Sequence, residues 1–99
     1  MFYRVRFAES AEEQFLAFNA RDRRSMIDQI KKQLQDEPFI ETKNRKQLRP
    51  NLFAPWELRI GRFRVFYEND AVDSDLVNIL AVGTKKGNRL FVAGKEMKL

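Results

Sequence analysis

The sequence predicts an α+β domain. A small antiparallel or mixed sheet carries an N-terminal strand, and a two-helix hairpin packs on one face. Three observations lead there. An alternating opening segment precedes two helical stretches, two alternating runs meet at Gly61-Arg62, and a nearly continuous apolar run fills residues 76–82. With 99 residues, the chain is expected to form a single domain, 1–99, around a modest core.

Phe2-Tyr3-Arg4-Val5-Arg6-Phe7 places Tyr3, Val5 and Phe7 on one side and Arg4 and Arg6 on the other, as a strand does. Ser10-Ala11-Glu12-Glu13 has the spacing of a capping box, opening a short helix that buries Phe15, Leu16 and Phe18. Asn19-Ala20 interrupts it. A second helix is expected from about Arg21 to Gln35, with Met26, Ile27, Ile30 and Leu34 as its core stripe. Pro38 stops that helix, and residues 39–55 are expected to be loop. After the hairpin, residues 69–75 form an acidic turn, and Leu76 to Val82 is a central strand covered on both faces. Residues 83–89 are expected to be a basic, flexible loop, followed by a short element over Leu90 to Ala93 and a polar tail.

The hairpin is the most informative segment. Glycine at the first central position suits a two-residue type II′ turn, which sets Trp56 opposite Tyr67, Leu58 opposite Val65 and Ile60 opposite Phe63. The other side then holds Arg59 directly opposite Arg64, beside Glu57 and Phe66. Like charges in that position destabilise a sheet. Two arginines splaying into water, one paired with Glu57, are the plain explanation. A bound polyanion is the functional one, favoured by the constellation as a whole.

Composition narrows the chemistry. Hydrophobic residues make up 43% of the chain, and one Trp, two Tyr and nine Phe argue for a folded domain. No apolar run approaches the roughly 20 residues of a membrane-spanning helix, and the start of the chain carries no secretory pattern. No cysteine is present for disulfide or thiolate chemistry, and no histidine for acid/base work or metal binding. A cytoplasmic protein with neither metal nor cofactor is expected. Residues 1–42 hold seven basic and eight acidic side chains, residues 43–99 twelve and six. The entire positive excess therefore lies in the second part, a footprint suited to nucleic acid or an acidic protein.

Known catalytic patterns are missing. Ser10, Ser25 and Ser74 have no histidine base, and Gly83-Thr84-Lys85-Lys86-Gly87 lacks phosphate-loop spacing. Glu12-Glu13 and Asp73/Asp75 suit capping and solubility. RNA cleavage is compatible with what remains, because the neighbouring 2′-hydroxyl supplies the nucleophile and cations stabilise the phosphate charge. Arg59, Arg64, Lys85 and Lys86 converge with Phe66 and Phe91 if the basic loop folds beside the hairpin. Phe91 serves equally well as a packing residue, and the role of Phe66 depends on the hairpin register.

The motifs resemble the RelE/ParE superfamily of bacterial toxins. A basic loop precedes Trp56-Glu57-Leu58-Arg59-Ile60 and Phe63-Arg64-Val65-Phe66-Tyr67, and an apolar strand then ends in Ala81-Val82-Gly83 with the pair Lys85-Lys86. The flavour is that of RelE-like, HigB-like and phage-derived branches, and the likeness covers nearly the whole chain. It implies a toxin paired with an acidic antitoxin. Many relatives cleave messenger RNA on the ribosome without a metal, whereas others inhibit DNA gyrase or have lost activity. Carried over, the resemblance makes Arg59, Arg64 and Lys85 the catalytic cations of an endoribonuclease and Phe91 a base-stacking aromatic. Lys43, Arg45, Lys46, Arg62, Lys86 and Arg89 are the further residues expected to contact RNA, including ribosomal RNA.

Overall fold

The hairpin forms in the expected register. In a computed structural model describing residues 2–98, strands β3 (Trp56–Ile60) and β4 (Phe63–Asn69) pair Trp56 with Tyr67, Leu58 with Val65 and Arg59 with Arg64. Gly61 takes φ +56° while Arg62 keeps a negative φ, the signature of the type II′ turn.

Around this hairpin the described residues build a seven-stranded sheet: β2 (Arg45–Gln47), β3, β4, β5 (Leu76–Lys86), β6 (Arg89–Val92) and β7 (Lys95–Met97) lie side by side in that order, and β1 (Arg4–Phe7) runs parallel to the first part of β5. Helices α1 (Glu9–Leu16) and α2 (Ala20–Leu34) cover one face, called inner below. Met26, Ile30 and Leu34 of α2 are buried there with Leu58, Val65, Tyr67 and Ile79. This confirms the α+β fold and the α2 stripe at Met26, Ile30 and Leu34, whereas Ile27 is only half-buried. On the outer face a smaller cluster joins Phe66, Ala54, Ala81, Leu90 and Val92. The two clusters explain why β5 is apolar on both sides. Its register against β4 shifts between Phe66 and Tyr67, with Leu80 as the extra residue of a bulge.

Several expectations are corrected. Ser10 and Glu13 do not form a capping box. The amide of Ala8 is bound to the Ile79 carbonyl at 2.8 Å, so β1 runs directly into α1, whose N-cap Ala8 has no side-chain cap. Glu9 and Glu12 supply negative charge to that first turn instead. Leu16 is exposed. Asn19 caps α2, accepting the Asp22 amide at 2.8 Å. Residues 39–55 contain strand β2 (Arg45–Gln47), and the supposed flexible loop continues β5, turns at Gly87, and enters β6 (Arg89–Val92). The tail holds β7 (Lys95–Met97), paired with β6. Phe66 is fully buried and stacked on Phe53, centroids 5.4 Å apart, so it is unavailable to a base.

At the end of the sheet far from the hairpin turn, polar groups close the acidic turn. Arg6 donates from Nε and Nη2 to Asn78 Oδ1 at 3.2 and 2.9 Å, and Asn78 Nδ2 donates to Asp70 Oδ1 at 2.8 Å. Asp70 Oδ2 accepts the amides of Val72 and Asp73 at 3.1 and 2.9 Å. The Asn78 hydrogen bond, followed by those two amides and the Arg6 charge, lowers the Asp70 pKa to about 2. An unfolded aspartate titrates near pH ~3.9, so on acidification the unfolded chain takes up this proton first. Stability should therefore fall between about pH 4 and about pH 2. Asp70→Asn should flatten that stretch of the denaturation profile; an unchanged slope would contradict the linkage.

Candidate functional site

Strand alternation divides the predicted cations between the two faces. Arg59, Arg64 and Gly83 lie in one cross-strand row on the outer face, and Lys85 follows two residues further along β5. Gly83 has a packing reason to lack a side chain, since a Cβ there would lie 2.6 Å from the Phe91 carbonyl oxygen. Lys46, paired with Glu57, faces the same way. Lys85 is anchored through its backbone, its amide donating to the Arg62 carbonyl at 2.7 Å. The tip of one hairpin is thereby fixed to the adjacent strand.

Glu57 organises this face. Only 4% of it is exposed, and Oε1 accepts from Arg59 Nε at 2.9 Å. Arg59 itself is 46% exposed at its side chain, leaving the outer nitrogens to solvent. Arg64 folds back over the turn, Nη1 donating to the carbonyls of Gly61 and Phe63, both at 2.8 Å. Its Nε is buried with no partner. Burial lowers the Arg64 pKa, the Glu57 charge opposes that shift, and the Arg59 charge adds to it. A guanidinium remains protonated under such pressure. The result is a partly desolvated cation with an unsatisfied donor, beside a second cation and one carboxylate. Such a set attracts anionic oxygen atoms.

Other expected contacts lie elsewhere. Arg45 is buried against α2, with Nε on the Ile40 carbonyl at 3.0 Å and Nη1 on the carbonyl and side chain of Gln33 at 3.0 and 2.8 Å. The expectation that Arg45 contacts RNA is corrected: it ties the edge strand to the helix. Arg62 pairs with Asp22 at 3.2 Å and covers the Phe63 ring. Lys43 is exposed in the loop before β2. Lys86, Arg89 and Phe91 belong to the inner side of the β5–β6 hairpin, where Phe91 lies opposite Thr84. Convergence of Phe91 and Lys86 with Arg64 is therefore corrected as well, because a one-strand-thick sheet separates them. The sequence placed Glu57 on the right face, but its burial depends on packing with no local signature.

One of the solved structures similar to this chain is the RelBE2 toxin-antitoxin complex of Mycobacterium tuberculosis. The match has a TM-score of 0.69 and 26% identity, covering 86% of this chain and all of that one. This chain has a RelE-like fold. No protein-family model matches the sequence, and no curated protein matches it significantly. The resemblance carried by the hairpin motif is thus borne out in the RelE-like architecture, including β1, both helices and the sheet.

Removing the Glu57 charge leaves two adjacent cations without their buried counter-charge. Because Arg59 is half exposed and solvent-screened, Glu57→Gln should cost about 1–2 kcal/mol, below the usual range for a wholly buried pair. Adding Arg59→Gln should recover part of that loss in urea denaturation. Strict additivity of the two changes would contradict the coupling.

Proposed function

We propose that this protein is the toxin of a toxin-antitoxin pair and that it cleaves messenger RNA on the ribosome without a metal ion. The carrying observation is the facing pair of Arg59 and Arg64 beside buried Glu57 on the outer face, with Lys85 two residues beyond Gly83 on the same side of β5. Likeness to a RelE-type toxin supports the same reading. In the proposed reaction the RNA 2′-hydroxyl loses its proton to water as its oxygen attacks the adjacent phosphorus, and the departing 5′-oxygen takes up a proton. The O2′–P bond forms as P–O5′ breaks, leaving a 2′,3′-cyclic phosphate and a 5′-hydroxyl.

Arg64 stabilises the added charge on the non-bridging oxygens, using donors held near the hairpin turn. Arg59, fixed through Nε by Glu57, offers its outer nitrogens to the same phosphate. Lys85 assists at the departing 5′-oxygen. None of these steps needs histidine, consistent with a chain that contains none. The partner expected from this reading is an acidic antitoxin that masks the basic surface.

A second reading, inhibition of DNA gyrase without cleavage, is favoured by one observation. Phe91 is separated from Arg64 by the sheet, so the expected aromatic and phosphate contacts are not assembled at one point. Transcript 5′ ends mapped shortly after induction distinguish the two. Cleavage predicts new 5′ ends within coding regions, and Arg64→Ala should reduce them about 10²–10³-fold, the usual effect of losing one transition-state donor. Intact transcripts with DNA damage would replace this proposal with gyrase inhibition.

A further inference from the structure

The sheet is split along one side of β5. Strand β1 pairs with it as far as Ile79, and β6 begins only at Thr84. In the gap, the Val82 amide donates to Gln14 Oε1 at 2.9 Å, so a side chain of α1 takes the place of a missing strand. Beside this plug lies a cleft of about 520 Å³ between α1 and the β5–β6 hairpin, bordered by Phe18 and Phe91 with Glu13, Thr84 and Lys86. We propose that this cleft binds a guanine base of an RNA strand, with the adjoining phosphate on Lys86. The inference rests on the RNA-binding reading above and adds a second subsite on the opposite face of the sheet.

Three features select the ligand. Aromatic walls with polar groups at the rim suit a planar ring with a hydrogen-bonding edge. Lys86 Nζ lies 5.5 Å and the Arg89 guanidinium 5.4 Å from the centroid of the Phe91 ring, which puts positive charge beside the aromatic wall. Arg89 also pairs with Glu96 at 2.7 Å, whereas Lys86 forms no ion pair among the described residues. Lys86 is thus the cation free for a phosphate. Glu13, likewise without an ion-pair partner among those residues, is the carboxylate lining the cleft. Guanine presents two adjacent N–H donors to a carboxylate. The other three bases put a lone pair next to their donor and repel it.

The two subsites are connected through the hairpin. Gly83 lines the cleft and is also the cross-strand partner of Arg64. A strand leaving Arg64 on the outer face meets Lys85, crosses the Gly87-Asn88 turn and reaches Lys86 on the inner side. Alternation of adjacent lysines thereby becomes a path around an edge.

The test titrates ¹⁵N-labelled full-length protein with 5′-GMP, AMP, CMP, UMP and inorganic phosphate, then with a uridine hexamer with or without one central guanosine. GMP should perturb the amides of Glu13, Thr84, Phe91 and Gly94 and bind about tenfold more tightly than the other mononucleotides. Glu13→Gln, at an exposed helical position, should erase that preference while circular dichroism stays unchanged. The guanosine-containing hexamer should bind more tightly than GMP and perturb both Lys85 and Lys86. Shifts confined to β3 and β4 would overturn the cleft while leaving the outer-face reading standing. Equal binding of all four mononucleotides, or the same shifts from inorganic phosphate, would overturn base recognition. GMP binding as tightly as the hexamer would overturn the path around the hairpin. No perturbation by any of these probes would count against the subsite and the RNA reading together.

Discussion

Two arginines held face to face across a hairpin are the constraint on which the outer face depends. A two-residue turn at Gly61-Arg62 and strict alternation leave Arg59 and Arg64 no other register. Like charges directly opposite one another destabilise a sheet, the more so where burial weakens solvent screening. Glu57, buried on the same face, offsets that repulsion and aims Arg59 by holding its Nε. Arg64 keeps an unpartnered buried donor. The face is balanced internally and still short of negative charge, which is the electrostatic condition for binding an anion.

The same alternation limits what the site can contain. Lys85 and Lys86 are neighbours in sequence but lie on opposite sides of β5, and Phe91 follows Lys86. A compact pocket joining all of these groups is incompatible with a regular strand extending to Lys86. The fold instead supplies an outer cationic face and an inner cleft, joined over a hairpin tip. That cleft exists because β1 and β6 occupy successive stretches of one edge of β5, with Gln14 closing the gap between them.

How much was legible depended on whether a signal was local. The hairpin register followed from period-two alternation and one glycine, and the α2 stripe from helical spacing. Strand β2 was hidden because Arg45-Lys46-Gln47 is polar and lies at the sheet edge, where pairing with β3 organises it. Arg45 looked like a surface cation, yet Gln33 and the Ile40 carbonyl satisfy its buried guanidinium. Glycines and lysines at 83–87 suggested flexibility, although the sheet continues through them as far as Lys86. The apparent capping box failed because pairing of Ala8 with Ile79 had already set the start of α1. For the site, the facing arginines were visible in the sequence; the burial of Glu57 and the separation of Phe91 emerged only from tertiary packing.

The central claim is that Arg59, Arg64 and Lys85 form the polyanion site, and the salt dependence of RNA binding tests it most directly. Affinity for a single-stranded oligoribonucleotide should be measured from low to physiological ionic strength for the wild type and for single alanine variants. Each outer-face variant should reduce the slope of log affinity against log salt by about 0.7, the contribution of one released counterion from a single strand. Arg21→Ala and Arg24→Ala, on the exposed side of α2, should leave the slope unchanged. An unchanged slope for Arg64→Ala, with a reduced slope for the α2 variants, would place the polyanion on the helices and contradict the account.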